Sequence, residues 1–186
     1  TNLVSNTGVV ASDTAGVGTG RYQPAACGYG GDKGIFGYGV GGSNFYAITN
    51  LVSNAGVVAS DTAGVGTARR QLAACEYGDD KGIFGFGYDA SSYLGMTNLV
   101  SNAGVVATDV AAVGTARNVL AACGYGGDKG IFGYGKTGDG RVSMTNLVSN
   151  AGVVSSDVTG VGTARDVLAA CEYGEDKGIF GYGGVG

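Results

Sequence analysis

The eight-residue stretch Asp-Lys-Gly-Ile-Phe-Gly-Tyr-Gly at positions 32–39 occurs four times in this chain and determines the fold that we expect. It returns at 80–87, where a phenylalanine replaces the tyrosine, and again at 128–135 and 176–183. The motif Thr-Asn-Leu-Val-Ser-Asn starts at residues 1, 49, 97 and 145, so the period is 48 residues. A fixed period of this length is typical of solenoids, propellers and other repeat arrays. We therefore predict a single repeat domain over residues 1–186.

The composition favours strands over helices. The 186 residues include 39 glycines and one proline, and 44% of the residues are hydrophobic. A glycine inside a helix costs roughly 1 kcal/mol relative to alanine, so helices are disfavoured throughout. The many Val, Ile, Tyr and Phe residues argue against a disordered chain. Short strands joined by glycine-containing turns are the expected result.

Four short strands can be placed within one unit, over residues 119–126, 129–135, 142–150 and 153–158. A tight Gly-Gly-Asp-Lys turn joins the first two strands, and glycine interrupts every possible apolar face of a helix. Four antiparallel strands in a unit of this length match one blade of a β-propeller. The fold class that we predict is all-β, a propeller of four-stranded blades.

The order of these elements resembles a kelch repeat. In kelch repeats an arginine precedes a small apolar inner strand, and the second strand ends in a glycine pair. Here Arg117 matches the arginine, residues 121–122 match the small apolar pair, and residues 133–135 stand at the place of the glycine pair. The aromatic residue that usually opens the fourth strand is replaced by Val153. The array is also loosely similar to glycine-rich repeat proteins of phages and environmental bacteria.

The two ends of the chain carry complementary parts of one unit. The sequence starts at strand three and stops after strand two. A ring that closes within the chain would pair these ends, giving four blades with the closing blade shared by the termini; such closure hides sheet edges. Two alternatives stay open. Two chains could share an eight-bladed ring, or the sequence could be a piece of a longer protein.

An aspartate and an arginine occur at equivalent positions of every unit, and we assign them a structural role. The aspartates are expected to accept backbone N–H bonds near a strand end. The arginines are expected to bridge carbonyl or carboxylate groups of a neighbouring blade. These repeat positions are Asp13, Arg21, Asp61, Arg69, Asp109, Arg117, Asp157 and Arg165.

Each unit also contains one cysteine, at residues 27, 75, 123 and 171. Each cysteine follows an Ala-Ala pair on the predicted inner strand, and no Cys-x-x-Cys spacing is present. We interpret the four as small buried thiols, which free cysteines commonly are. The alternative is a four-thiolate metal site around the axis. Unpaired thiols favour a reducing compartment, although a virion or cell surface stays open.

Charge and residue types argue against several classes of function. The net charge is −4 and the basic residues do not cluster, so we expect no nucleic-acid partner. No apolar run approaches the roughly 18 residues that span a bilayer, so we expect no membrane insertion. The chain has no histidine, the commonest general base, and no Gly-x-Ser-x-Gly motif, so we expect no enzyme. A Gly-x-Gly-x-x-Gly match at 37–42 lacks a following helix, and we expect no cofactor.

The units differ most in the loops between strands two and three, at residues 40–48, 88–96 and 136–144. Variable loops on a rigid frame commonly carry binding. Aromatic contacts could come from Phe45, Tyr46, Tyr88 and Tyr93. Polar contacts could come from Ser43, Asn44, Asp89, Ser91, Ser92, Lys136, Asp139 and Arg141. The alternative is that Phe45 and Tyr93 simply begin strand three.

These features predict a non-catalytic recognition or scaffold module that binds a protein or a glycan through the variable loops. The kelch resemblance implies a protein partner, whereas tyrosines beside Asn, Asp and Ser suit a sugar. The alternative is a structural building block that self-assembles as a homo-oligomer into a ring, filament or surface fibre. Such a repeat could be natural, artificially amplified or designed.

Overall fold

A computed structural model describes residues 1–185, and every regular element in that range is a β-strand. The strands form several small antiparallel sheets, so the prediction of an all-β fold is confirmed. None of the described residues forms a helix of the length and apolarity needed to cross a bilayer.

The strands follow the repeat. The first unit contains β1 (Ala25–Tyr29), β2 (Lys33–Gly37), β3 (Val40–Gly41), β4 (Asn44–Phe45) and β5 (Thr49–Val52). The second contains β6 (Ala73–Tyr77), β7 (Lys81–Tyr88) and β8 (Tyr93–Val100). The third contains β9 (Ala121–Tyr125), β10 (Lys129–Gly133), β11 (Lys136–Thr137), β12 (Gly140–Arg141) and β13 (Thr145–Val148). The fourth contains β14 (Ala169–Tyr173) and β15 (Lys177–Gly181).

The repeated eight-residue stretch forms the turn and second strand of each unit, as predicted. In the first unit β2 pairs with β1 on one side and with β5 on the other, with Gly37 opposite Thr49. The turn before β2 contains Gly30 and Gly31 at φ values of 62° and 78°. Backbone of this kind favours glycine because it strains residues that carry a Cβ. In the second unit β7 and β8 continue past a bulge into the loop region.

The predicted fourth strand of each unit is not a regular strand, which corrects that expectation. Only isolated bridges remain, such as Val52 with Val58 and Thr49 with Thr62. The reason is that the side chain of Asn50 lies between the two segments. Its Nδ2 donates to the carbonyl of Ala59 at 3.1 Å and to Asp61 Oδ1 at 2.9 Å. A side-chain amide thus takes the place of part of the backbone ladder.

Consecutive units pack face to face, and β1, β6, β9 and β14 follow one another in space. The core lies between the units. One cluster joins Ile35 and Tyr38 of the first unit to Phe84 of the second. The next cluster repeats this contact with Ile83, Phe86 and Phe132. Burial in this protein therefore depends on having a neighbouring unit on each side.

The predicted pairing between the two ends of the chain is not formed among residues 1–185. The N-terminal segment pairs with itself through Val4 and Val10, and β14 pairs only with β15. Leu3 packs against Gly56 in the way that Leu51 packs against Gly104. Leu3 of the N-terminal segment thus contacts residues 49–56 as Leu51 contacts residues of the next unit. The segment does not add to the C-terminal hairpin as a shared closing blade would require.

Candidate recognition surface

The variable loops lie on the repeated strands and turns of the units, which we call the frame. The frame is built around fully buried arginines. Arg69 Nε donates to the carbonyl of Phe86 at 2.8 Å, Nη1 to that of Thr67 at 3.0 Å, and Nη2 to Asn98 Oδ1 at 2.7 Å. Arg117 makes the same three kinds of hydrogen bond one unit later. Burial lowers the pKa of Arg117 to about 10, and the negative charge of Asp157 works in the opposite direction. Each guanidinium therefore joins several segments of one unit.

The repeated aspartate completes this network. Asp109 accepts hydrogen bonds from the backbone N–H and the hydroxyl of Thr67 and from Asn98 Nδ2, at 3.0, 2.8 and 2.9 Å. Its Oδ1 lies 3.9 Å from Nη1 of Arg69. Asp61 and Asp157 accept from the same residue types at equivalent positions. The hydrogen bonds of these three carboxylates therefore join residues of the repeated frame.

Four side chains from two units form a cluster beside the loops. The guanidinium carbon of Arg70 lies 5.4 Å from the ring centroid of Phe45 and 5.8 Å from that of Tyr88. The rings of Tyr88 and Tyr93 have centroids 5.6 Å apart, because these residues face each other across β7 and β8. All four side chains are half-buried. We call Phe45, Arg70, Tyr88 and Tyr93 the aromatic patch.

Sequence reasoning missed Arg70. It directly follows the repeated arginine, at a position where the other units carry Tyr22, Asn118 and Asp166. Variation at that place was the available signal, since the preceding residue is the same in all units. Arg70 Nε is buried and has no hydrogen-bond partner among the described residues.

The tip of the second loop is held by its own side chains. Asp89 Oδ1 accepts from the backbone N–H and the hydroxyl of Ser91 and from the N–H of Ser92, at 3.0, 2.9 and 2.8 Å. The hydroxyl of Tyr88 donates to the carbonyl of Ala90 at 2.8 Å. Asp89 and Ser91 thus order the loop, while Ser92 remains exposed beside the patch.

The first loop places Ser43 and Asn44 at an exposed tip. Tyr46 is half-buried and lies against Gly41, where a Cβ would stand 3.2 Å from its ring. Phe45 is the member of this loop that reaches the aromatic patch.

The third loop carries charge instead of aromatic rings. Arg141 Nε forms an ion pair with Asp166 at 2.9 Å. Lys136 and Asp139 are exposed, and the backbone of Lys136 pairs with that of Asn118. The ring of Tyr93 comes within 3.9 Å of the place that a Cβ of Gly138 would take. The second and third loops are therefore neighbours, and the surface changes from aromatic to charged between them.

The cysteines lie away from these loops, on the first strand of each unit. A small cavity of about 170 Å³ between the four strands is lined by Cys27, Cys75, Cys123, Cys171, Glu76 and Glu172 among others. Burial is the main reason that the pKa of Cys27 rises to about 12 and that of Cys123 to about 11. Among residues 1–185 no cluster of His, Cys, Asp or Glu has the arrangement of a metal site.

No protein-family model matches this chain, and no curated protein matches it either. The resemblance to kelch repeats therefore rests on the residues quoted from the sequence.

Proposed function

We propose that this chain is a non-catalytic recognition or scaffold module that binds a protein or a glycan through its variable loops. The observation that carries the proposal is the aromatic patch. It gathers residues that differ between units at the Gly37 and Thr49 end of the sheets. It lies next to a frame whose arginine network repeats in the first three units. Half-buried Tyr and Arg side chains that keep part of their surface accessible on a rigid support are common centres of binding energy.

We propose in addition that the units are blades of a kelch-like β-propeller. Three observations support this. The first three units each form a three-stranded antiparallel sheet, consecutive units pack through their faces, and one cavity is lined by the first strands of all four units. The loops between strands two and three then share one face of the propeller, where a single partner could contact several of them.

The non-catalytic character is supported by how the charged groups are used. Arg69 and Arg117 are fully buried and donate to backbone carbonyls and to an asparagine, which leaves them no access to a substrate. Asp89 is occupied by the loop that it orders. In the third loop Lys136 and Asp139 are exposed, and Arg141 is paired with Asp166.

The partner class can be tested with two defined probes, a printed array of oligosaccharides and a displayed library of random peptides. The full chain is screened on both, and the strongest ligand from each is measured in solution. We expect a ligand whose affinity falls at least tenfold, about 1.4 kcal/mol, in Tyr93→Ala and in Arg70→Ala. Enrichment on the sugar array assigns a glycan partner, and enrichment of peptides assigns a protein.

The matched control is Asp79→Asn. Asp79 lies in the turn before β7, at the opposite end of that strand from the patch, and asparagine tolerates its φ of 66°. Thermal unfolding must show that each variant is folded. Ligands that bind the two patch variants and the control with equal affinity would show that the loops are not the binding surface.

A further inference from the structure

Arg70, the cation of the aromatic patch, differs from the repeated arginines because its guanidinium has no acceptor. Arg21, Arg69 and Arg117 each donate three hydrogen bonds, to two backbone carbonyls and to an asparagine. Among residues 1–185 the guanidinium of Arg70 makes no hydrogen bond and no ion pair. Its N–H donors are therefore available to an acceptor that a ligand brings.

Aromatic rings hold this guanidinium in place instead. Its central carbon lies 5.4 Å from the ring centroid of Phe45 and 5.8 Å from that of Tyr88. A cation within about 6 Å of a ring centroid is attracted to it. The Nε of Arg70 is enclosed, while the two terminal nitrogens Nη1 and Nη2 keep contact with solvent. The side chain thus presents a pair of parallel N–H groups at the surface of the patch.

The main-chain groups around the patch are already paired. The N–H of Arg70 donates to the carbonyl of Tyr88 at 3.0 Å, and the N–H of Tyr88 donates to the carbonyl of Arg70 at 3.0 Å. The N–H of Asp89 donates to the carbonyl of Ser92 at 3.3 Å. Extended peptides are commonly bound by main-chain hydrogen bonds to a free strand edge. The patch offers side chains only, which favours a ring-shaped ligand over an extended peptide.

The charges beside the patch favour an anion. Asp89 Oδ1 is occupied by three hydrogen bonds from its own loop, and Arg141 is paired with Asp166. Lys136 is exposed and forms no ion pair among residues 1–185. It takes the place in the third unit that Tyr88 takes in the second, since each pairs with the residue that follows the repeated arginine. An anionic ligand that extends from the second loop to the third would therefore meet two cations.

We infer that the ligand of the aromatic patch is an acidic glycan, with the carboxylate of a uronic acid on Nη1 and Nη2 of Arg70. The two oxygens of a carboxylate match the fork of a guanidinium, and this pairing is stronger than a neutral hydrogen bond. The sugar ring then lies on the half-buried ring of Tyr93, and the next acidic unit of the chain lies towards Lys136. The inference rests on the proposed function, since it names the partner of the same surface.

The probe is a short oligogalacturonate, and its comparison is the same oligomer with the carboxyl groups methyl-esterified. The ester keeps the sugar rings and removes the charge. Titration calorimetry with the full chain measures both affinities. We expect the acid to bind at least about tenfold more tightly than the ester, because only the acid can pair with Arg70.

Variants of the full chain separate the acidic group from the sugar ring. Arg70→Ala is expected to weaken binding of the acid about tenfold or more and to leave binding of the ester unchanged. Arg70→Lys keeps the charge without the fork and is expected to recover only part of the loss. Tyr93→Ala is expected to weaken binding of both probes, and Lys136→Ala to cause a smaller loss for the acid than Arg70→Ala.

The matched control is Lys81→Ala, which removes an equal charge from the start of β7, at the opposite end of that strand from Tyr88. We expect the control to bind both probes as the parent does. The Arg70 guanidinium makes no hydrogen bond among the described residues, so its removal leaves no partner unpaired. Thermal unfolding checks that each variant is folded.

Several results would overturn this inference alone. They are equal affinity for acid and ester, acid binding that Arg70→Ala leaves unchanged, or no binding of oligogalacturonate beside a library peptide that Tyr93→Ala weakens. In the last case the loops still recognise a partner, and that partner is a protein. If Arg70→Ala and Tyr93→Ala bind every glycan and peptide probe as the parent does, the proposed function fails together with the inference.

Discussion

Strands β7 and β15 carry the same residues, Lys-Gly-Ile-Phe-Gly, but the structure encloses one and exposes the other. Ile83 of β7 is fully buried, whereas Ile179 of β15 is 52% exposed. β7 has a strand on each side and a unit on each face, while β15 has one paired edge and one packed face. The comparison shows that the repeated sequence determines the strand, and that the neighbouring units determine how much it contributes to stability.

The largest difference between a middle unit and the last unit is expected for the repeated arginine. Arg69→Ala removes three hydrogen bonds and leaves the carbonyl of Phe86 and the amide oxygen of Asn98 buried without a donor. We expect the free energy of unfolding to fall by about 3 kcal/mol or more. Arg165→Ala removes one hydrogen bond and is expected to cost below about 1 kcal/mol.

Urea unfolding followed by circular dichroism measures both changes. Equal losses for the two variants would contradict the comparison, since the last unit would then be as enclosed as the middle one.

A second difference of similar size is expected for the apolar side chains. Ile83→Ala and Ile179→Ala remove the same atoms from the same position of the repeat. The first creates a cavity between two units and is expected to cost about 2–5 kcal/mol. The second removes a side chain that is already half in solvent, and we expect less than about 1 kcal/mol. Thermal unfolding at low protein concentration compares them, and Val105→Ala is the exposed control.

The reaction rates of the cysteine thiols are expected to differ between units, and this comparison needs no destabilising substitution. Burial raises the pKa of Cys123 to about 11 and that of Cys27 to about 12, while Cys171 is exposed. At pH 8 about one Cys123 thiol in a thousand is then ionised, and only the thiolate reacts quickly. We expect a disulfide reagent to modify Cys171 at least a hundredfold faster than Cys75 or Cys123. Raising the pH should speed the Cys123 reaction about tenfold per unit until its pKa is reached.

Cys171→Ser removes the fast phase if the assignment is right. A fast phase that persists in this variant would place a second reactive thiol elsewhere.

Much of the frame could be predicted from the sequence because the period of 48 residues gives every element four times. The turn and second strand of each unit were found in this way, since glycine spacing and β-branched or aromatic residues act locally. The prediction of a regular fourth strand was wrong because the contact that replaces it depends on a side chain of another strand. That contact runs from Asn50 to Ala59 and Asp61. No local sequence pattern in residues 58–62 indicates that contact.

The candidate surface could be predicted only in part for the same reason. Loop variation pointed to Phe45, Tyr88 and Tyr93, which the structure brings together. Arg70 lies outside those loops; it also varies between units, but its place in the cluster depends on how two units pack. The pairing of the chain ends was also beyond local reasoning, because the position of the N-terminal segment is set by the contact of Leu3 with Gly56.

The smallest expected difference concerns acid. Burial alone favours a higher pKa for Asp109, but hydrogen bonds from Asn98 and Thr67 and the charge of Arg69 outweigh it and lower the pKa. A lowered pKa means that Asp109 contributes stability above its ordinary pKa of about 3.9, and that this contribution is lost as the pH falls through the folded value. Asp109→Asn should therefore flatten the loss of stability that sets in as the pH falls below about 4, by about 1 kcal/mol or less because the carboxylate is partly exposed. Asp13 accepts a hydrogen bond from Asn2 and forms no ion pair with an arginine among residues 1–185, so Asp13→Asn is the comparison variant. Chemical denaturation at a series of pH values measures the free energy of unfolding of both variants. Parallel profiles would show that the buried arginine does not distinguish the middle units from the first residues of the chain.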